Sequence, residues 1–188
     1  MRWILGGTVA ALLAVAGVLG VAVPRAAWAG DAVEGKPVAG WLDDLRGTDP
    51  AARKAALAAL SKVGPEHAET VGLLTTALKD PQAGVRQAAA DLLRKIGADA
   101  GPAAPALLEA LAKDPESRVR EAAAHALAVV GAERGPMVAP LVAAAADPSD
   151  RVRERVARTL GEVGGDAAAA RTALEALLKD GESAVREA

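Results

Sequence analysis

Two histidines, His67 and His125, are the side chains of this 188-residue sequence whose charge changes closest to neutral pH. A histidine beside a carboxylate can act as a general base or hold a metal, and Glu66 directly precedes His67. The two histidines occupy different positions of a sequence repeat, so we expect them not to converge. The interpretation favoured by this separation is two solvated side chains.

Other residue patterns that carry chemistry are missing. The sequence contains no cysteine, which excludes disulfides and cysteine-based zinc sites. The phosphate-binding patterns G-x-x-x-x-G-K-[ST] and G-x-G-x-x-G do not occur, and neither does the nucleophile pattern G-x-S-x-G. We therefore predict no catalytic residue, no metal site and no cofactor.

The charge balance also restricts the partners. The chain has 22 Lys and Arg against 24 Asp and Glu, and it has no Phe or Tyr. Nucleic-acid-binding proteins usually present a basic stripe or stacking aromatic rings. The composition therefore predicts no nucleic-acid partner.

One arginine recurs with an almost fixed period, at intervals of 33, 34, 33 and 33 residues. Apolar residues follow three, seven and ten positions after the first four of these arginines, which traces one face of an α-helix. A glycine eleven positions after each of these four arginines can end that helix, and the Asp-Pro pairs at Asp80, Asp114 and Asp147 are suited to begin it as N-cap and first residue. The recurring arginines are Arg53, Arg86, Arg120, Arg153 and Arg186.

A second helix precedes each of these. A bulky apolar residue lies twelve positions before every recurring arginine, namely Trp41, Leu74, Leu108, Leu141 and Leu174. Each repeat is therefore a helical hairpin, and such hairpins bury their apolar faces by stacking on their neighbours. The predicted hairpins span about 37–64, 66–97, 102–131 and 136–164, after a short linker at 30–36.

A fifth, incomplete copy covers 166–188. Its second helix would have about seven residues, which is too few for a helix that is stable without strong packing. An alternative interpretation is that the chain is a fragment of a larger exported protein.

The pattern D-P-x-x-x-V-R-x-x-A-x-x-x-L-x-x-x-G resembles HEAT repeats, above all the short bacterial kind related to phycobilisome-lyase HEAT-like repeats. The resemblance covers about Lys36 to Ala188. Tetratricopeptide repeats share the period, but their aromatic positions are absent here. The resemblance implies an all-α fold, an α-solenoid of hairpins wound into a right-handed superhelix.

The resemblance also implies a structural ladder, in which loop aspartates and helix arginines of neighbouring repeats are hydrogen-bonded. The ladder residues would be Asp80, Arg86, Asp114, Arg120, Asp147 and Arg153.

Two enzyme classes share this kind of repeat. Deoxyhypusine hydroxylases hold two irons with His-Glu pairs, but the dipeptide His-Glu does not occur in this sequence. No residue marks a bilin site of the phycobilin-lyase type either. The favoured hypothesis is a scaffold or protein-binding module without catalytic activity of its own, with a protein or peptide as partner.

A candidate binding surface follows from the helix period. Residues one and five positions after the recurring arginine lie on one helix surface and are predicted to line a groove. They are Gln87, Asp91, Glu121, His125, Glu154 and Arg158, which together make a mixed, mildly acidic stripe.

The N-terminus is typical of a secretory signal. A basic start is followed by an uncharged, mostly apolar run at 4–23, and Ala27 and Ala29 have the spacing that signal peptidase recognises. Residues 1–29 therefore predict export to the periplasm or the outside of the cell. The alternative is that the apolar run stays uncleaved and anchors the protein in the inner membrane.

We predict that the mature protein begins at Gly30, because cleavage follows the second small residue of the A-x-A site. Mass spectrometry of the protein purified from the native cell envelope measures this directly. Recovery of intact residues 1–29 from the membrane fraction would establish the anchor instead.

Overall fold

The computed structural model describes residues 32–62, 68–130, 133–163 and 168–188. The leader at 1–29 and His67 lie outside these residues. The chain divides into two compact units, 1–70 and 71–188. No helix within the described ranges is long and apolar enough to cross a membrane.

Within residues 32–62, the described part of the first unit forms a small β-hairpin and two helices. Strand β1 (Ala32–Val33) pairs antiparallel with β2 (Lys36–Pro37), and helices α1 (Val38–Arg46) and α2 (Pro50–Leu60) follow. Trp41 joins the hairpin to α1, since its indole Nε1 donates a hydrogen bond to the carbonyl of Val33 at 3.0 Å. The ammonium of Lys36 lies over the same ring, 4.6 Å from its centroid.

The second unit is a stack of helices in two layers. Its chain order is α4 (Ala83–Ile96), a 3-10 segment (Gly97–Ala103), α5 (Ala104–Lys113), α6 (Ser117–Leu127), α7 (Arg134–Ala144), α8 (Asp150–Val163), α9 (Ala168–Leu177) and α10 (Ser183–Arg186). Helix α3 (Ala68–Ala77) crosses the boundary between the units.

The second helices pack on one another in series, α4 on α6 and α6 on α8, and form one layer. The first helices α5, α7 and α9 pack in the same order and form the other layer. Each layer supplies the face that the other buries. The predicted all-α fold of stacked helical hairpins is therefore confirmed.

The core between the layers consists of small and medium-sized aliphatic side chains. Leu93 and Leu127, which lie seven positions after Arg86 and Arg120, are fully buried, and Leu160 is 1% exposed. Ala89 and Ala123, which lie three positions after those arginines, are also fully buried, so the helices approach closely at these positions. Thr159 is the polar exception in α8, and its hydroxyl donates to the carbonyl of Ala124 in α6 at 3.0 Å.

The Asp-Pro pairs begin turns more often than helices. Asp49 is an N-cap with Pro50 as the first helical residue, but α4 begins at Ala83, α6 at Ser117 and α8 at Asp150. Asp80, Asp114 and Asp147, which were predicted to be N-caps, instead accept the backbone N–H two residues further on, at 2.8, 3.0 and 2.9 Å. The prediction that these aspartates are N-caps is wrong, because the carboxylate closes a local turn ahead of the helix.

The glycine prediction is confirmed at Gly97, which follows α4 with a φ of 72°. A side chain would be strained in this conformation, so glycine ends the helix here at little cost.

In α5 the buried leucines are Leu107 and Leu111, whereas Leu108, which lies twelve positions before Arg120, is half-buried. Leu107 lies 21 positions after Arg86, as Leu74 and Leu141 do after Arg53 and Arg120. The extra residue of the 34-residue interval therefore lies between Leu107 and Arg120, and counting backwards from Arg120 misses the buried position by one.

Within the incomplete fifth copy, Ser183–Arg186 form the single turn α10. Val185 is 2% exposed and packs with Ala157 and Leu177. This burial supplies the packing that a short helix needs.

We predict that Leu127→Ala lowers the free energy of unfolding by about 2–5 kcal/mol, because the truncation leaves a cavity between the two layers. Leu178→Ala is the matched control, since Leu178 is 64% exposed and should cost less than about 0.5 kcal/mol. Urea titration followed by circular dichroism measures both. Equal losses for the two variants would contradict the assignment of the core.

Candidate functional site

Arg120 shows how neighbouring repeats are joined. Its Nε and Nη2 donate to the two carboxylate oxygens of Asp147, at 2.7 and 2.9 Å. Its Nη1 donates to the carbonyls of Asp114 and Pro115 in its own repeat, at 2.9 and 3.2 Å. One guanidinium therefore fixes the turn before its own helix and the turn of the next repeat.

The same arrangement recurs on both sides of this rung. Arg86 binds Asp114 through bonds of 2.6 and 2.9 Å, and Arg153 binds Asp180 at 2.7 and 3.0 Å. The side chains are nearly buried, 11% and 4% exposed for the pair Arg86 and Asp114. Planar, two-bond pairing of this kind suits arginine, since its guanidinium matches the carboxylate geometry.

Each carboxylate is further held by its own turn. Asp147 accepts the backbone N–H of Ser149 at 2.9 Å, and Asp180 accepts that of Glu182 at 2.9 Å. Burial is the largest influence on the pKa of Asp114 and Asp147 and raises it, but hydrogen bonds from the arginine and the backbone outweigh burial and lower the pKa overall.

For Asp180, the hydrogen bond from Arg153 and then that from Glu182 lower the pKa from 3.8 to about 2. Since these folded-state values lie below those of the unfolded chain, the pairs stabilise the fold above about pH 4. Their contribution is lost as the pH falls through the folded-state pKa.

The structure places five of the six predicted ladder residues in these rungs, while Asp80 contributes its carbonyl, which accepts a hydrogen bond from Nη1 of Arg86 at 2.8 Å. Asp180, which the sequence-based set omits, completes the rung of Arg153. The sequence signal for it was present, since Asp180 follows Asp147 by 33 residues, but a glycine stands in place of the usual proline.

The predicted groove residues lie on the layer of second helices. Gln87 and Asp91 are on α4, Glu121 and His125 on α6, and Glu154 and Arg158 on α8. We call this set the groove face. All are half-buried except Arg158, which is exposed and forms an ion pair with Glu154 at 2.7 Å.

His125 differs from the predicted solvated histidine, because it is half-buried among cations. Burial lowers the pKa of His125 most, followed by the charges of Arg155, Arg94 and Arg158. On the same face, burial raises the pKa of Asp91, although Arg94 and Lys95 oppose this. The burial and the nearby arginines thus both favour the neutral form of the His125 imidazole.

Arg94 and Arg155 were missed by the sequence analysis. Arg94 lies eight positions after Arg86, and offsets of one, five and eight share one helical face; Arg155 lies two positions after Arg153. These additional arginines lie near His125 at the centre of the groove face. The groove face is therefore less acidic than the predicted stripe.

No group of three or more His, Asp or Glu side chains that could hold a metal occurs among the residues with a described structure. A cleft of about 270 Å³ lies between the turns next to Arg86 and Asp114. Its charged side chains compensate each other, since Glu109 contacts Lys79 at 3.0 Å and Lys113 at 3.7 Å.

Comparison with protein families matches the family model of HEAT repeats over residues 38–128 and 130–188. No curated protein matches the sequence. Solved structures share the fold at low identity. One is the complex of CpcE and CpcF of phycocyanin lyase from Nostoc sp. PCC7120, with 22% identity and a TM-score of 0.62 over 80% of this chain and 94% of that chain.

Two other similar structures are not natural proteins. A designed armadillo repeat protein in complex with the peptide (KR)4 has 18% identity and a TM-score of 0.58 over 79% of each chain. An engineered protein has 21% identity and a TM-score of 0.60 over 80% of this chain and 75% of that chain. At these identities the similarity shows the fold alone.

We predict that Arg120→Met lowers the free energy of unfolding by about 3 kcal/mol, because the nearly buried carboxylate of Asp147 loses its partner. Arg118→Met is the control, since Arg118 is exposed on the same helix. Urea titration at pH 7 measures the difference. Similar stability of the two variants would mean that the ladder contributes nothing to the fold.

Proposed function

The chain belongs to the HEAT-repeat family, and we propose that it is an exported scaffold that binds a protein or peptide and has no catalytic activity of its own. The observation that carries this proposal is the groove face itself. Three helices in series, α4, α6 and α8, present polar side chains on one layer while the ladder fixes the spacing of the repeats.

A binding surface of this kind requires rigidity more than reactive groups. The ladder bonds order the turns at the ends of the second helices before any partner arrives. Such preorganisation lowers the entropic cost of binding, since fewer backbone conformations are lost when the partner docks. The layer of second helices is therefore suited to hold an extended chain laid across successive repeats.

The similar solved structures support the same class of function. The designed armadillo repeat protein is in complex with a peptide, which illustrates what a fold of stacked helical repeats can bind. The likeness to the phycocyanin lyase complex is one of fold at 22% identity, so bilin chemistry is not proposed for this chain. Export rests on the signal-like residues at 1–29.

Selection from a library of random displayed peptides tests the proposal. We expect enriched peptides that shift the amide resonances of α4, α6 and α8 of the ¹⁵N-labelled mature chain more than those of α5, α7 and α9. Glu121→Trp should weaken binding by about tenfold, because it fills the centre of the groove face. Ala143→Trp, at an exposed position of α7, is the matched control.

Enriched peptides that shift only the amide resonances of α5, α7 and α9 would show that the first-helix layer, and not the groove face, binds the peptide. Failure of any peptide to enrich, with a folded chain, would contradict the proposal.

A further inference from the structure

The arginines of the second helices fall into two groups. Arg86, Arg120 and Arg153 each donate four hydrogen bonds within the ladder. Arg94 and Arg155 are different, because the Nε atom of each is buried and has no hydrogen-bond partner among the described residues. A buried donor without a partner costs free energy, and native structures rarely contain one without a reason.

These two arginines lie on either side of one position. Arg94 is on α4, Arg155 is on α8, and the helix between them is α6 with His125. The charges of both reach His125, together with that of Arg158. Three arginines from the two helices beside α6 therefore lie near His125 at the centre of the groove face.

The carboxylates nearby pair with only one of these arginines. Glu154 forms an ion pair with Arg158 at 2.7 Å, and Glu121 lies on α6 itself, four residues before His125. Asp91, three residues before Arg94, is half-buried, and the structure gives it no hydrogen bond or ion pair to that guanidinium. Arg94 and Arg155 therefore have no carboxylate partner among the described residues, and we call the set Arg94, His125, Arg155 and Arg158 the arginine cluster.

We propose that the arginine cluster binds the carboxylate side chains of an acidic peptide laid across α4, α6 and α8. This inference rests on the proposed peptide-binding function and names the chemistry of its partner. A carboxylate is the natural complement, because guanidinium groups pair with it through two parallel hydrogen bonds. An imidazole at the centre can donate a further hydrogen bond.

The charge pattern of the groove face favours a peptide over a nucleic acid as the partner. Asp91, Glu121 and Glu154 are interspersed with the cations, so a continuous row of phosphates would meet negative charge at every repeat. An extended peptide carries side chains on one side at every second residue, about 6–7 Å apart. Single carboxylates at that spacing can reach cations and leave the acidic positions uncontacted.

Fluorescence anisotropy with labelled synthetic peptides tests the proposal on the mature chain. The probe is an extended peptide of about seven residues with Glu at alternate positions, compared with the same peptide carrying Gln or Lys. We expect the Glu peptide to bind at least about tenfold tighter than the Gln peptide at low salt, and to weaken as salt is added. Equal binding of the three peptides would overturn the proposal.

Substitutions locate the site. Arg155→Gln and Arg94→Gln should each lower the affinity for the Glu peptide by about fivefold or more, since each removes one charge-assisted contact. Arg151→Gln and Arg118→Gln, at exposed positions of α8 and α6, are the controls and should change it by less than about twofold. If the first two variants bind like the controls, the arginine cluster is not the site.

Arg158→Gln provides a second test that does not depend on a buried atom, because Arg158 is exposed. This substitution should also weaken binding of the Glu peptide, even if Arg94→Gln or Arg155→Gln disturbs the fold. A single-stranded oligonucleotide that binds as tightly as the Glu peptide and competes with it would also overturn the proposal. The groove face would then bind polyanions in general and not peptides in particular. Displayed peptides that bind the groove face but carry no acidic residues would refute this inference alone and leave the proposed function standing.

Discussion

The hydrogen bonds between each ladder arginine and the aspartate of the next repeat set the constraints that the remaining structure obeys. An arginine such as Arg120 can make its four hydrogen bonds only if its own turn and the next one stand at a fixed distance. The apolar contacts of Leu93, Leu127 and Leu160 are not directional and would tolerate sliding between helices. The ladder removes that freedom, since a shift of one layer by even a single residue would leave a nearly buried charge unpaired.

Much of the fold could be predicted from the sequence, because the features that determine it are local and repeated. The period of the arginines, the apolar offsets and Gly97 each depend on only a few neighbouring residues. The turn geometry of Asp80 and Asp114 could not be predicted from neighbouring residues, since an aspartate side chain can either cap a helix or close a turn. Which of the two forms depends on Arg86 and Arg120, because their guanidinium groups donate hydrogen bonds to the carbonyls of those turns.

The binding surface was predicted less completely. Offsets of one and five residues identified the groove face, but the environment of His125 depends on arginines from two other helices. Arg94 and Arg155 stand at different offsets, so no repeating signal links them. The packing of the short helix α10 could not be predicted for a similar reason, because Val185 packs with Ala157, which lies 28 residues earlier in the chain.

The ladder pairs also have a consequence for how the chain acquires its structure. Their partners are 27 or 28 residues apart, and the bond from Thr159 to Ala124 spans 35. Loops of this length close at a modest entropic cost, and a topology that relies on them has a low contact order. Any adjacent pair of hairpins in the second unit can therefore serve as a folding nucleus, and structure can grow from it in either direction along the chain. Folding can begin as soon as two neighbouring hairpins are free to pack on each other.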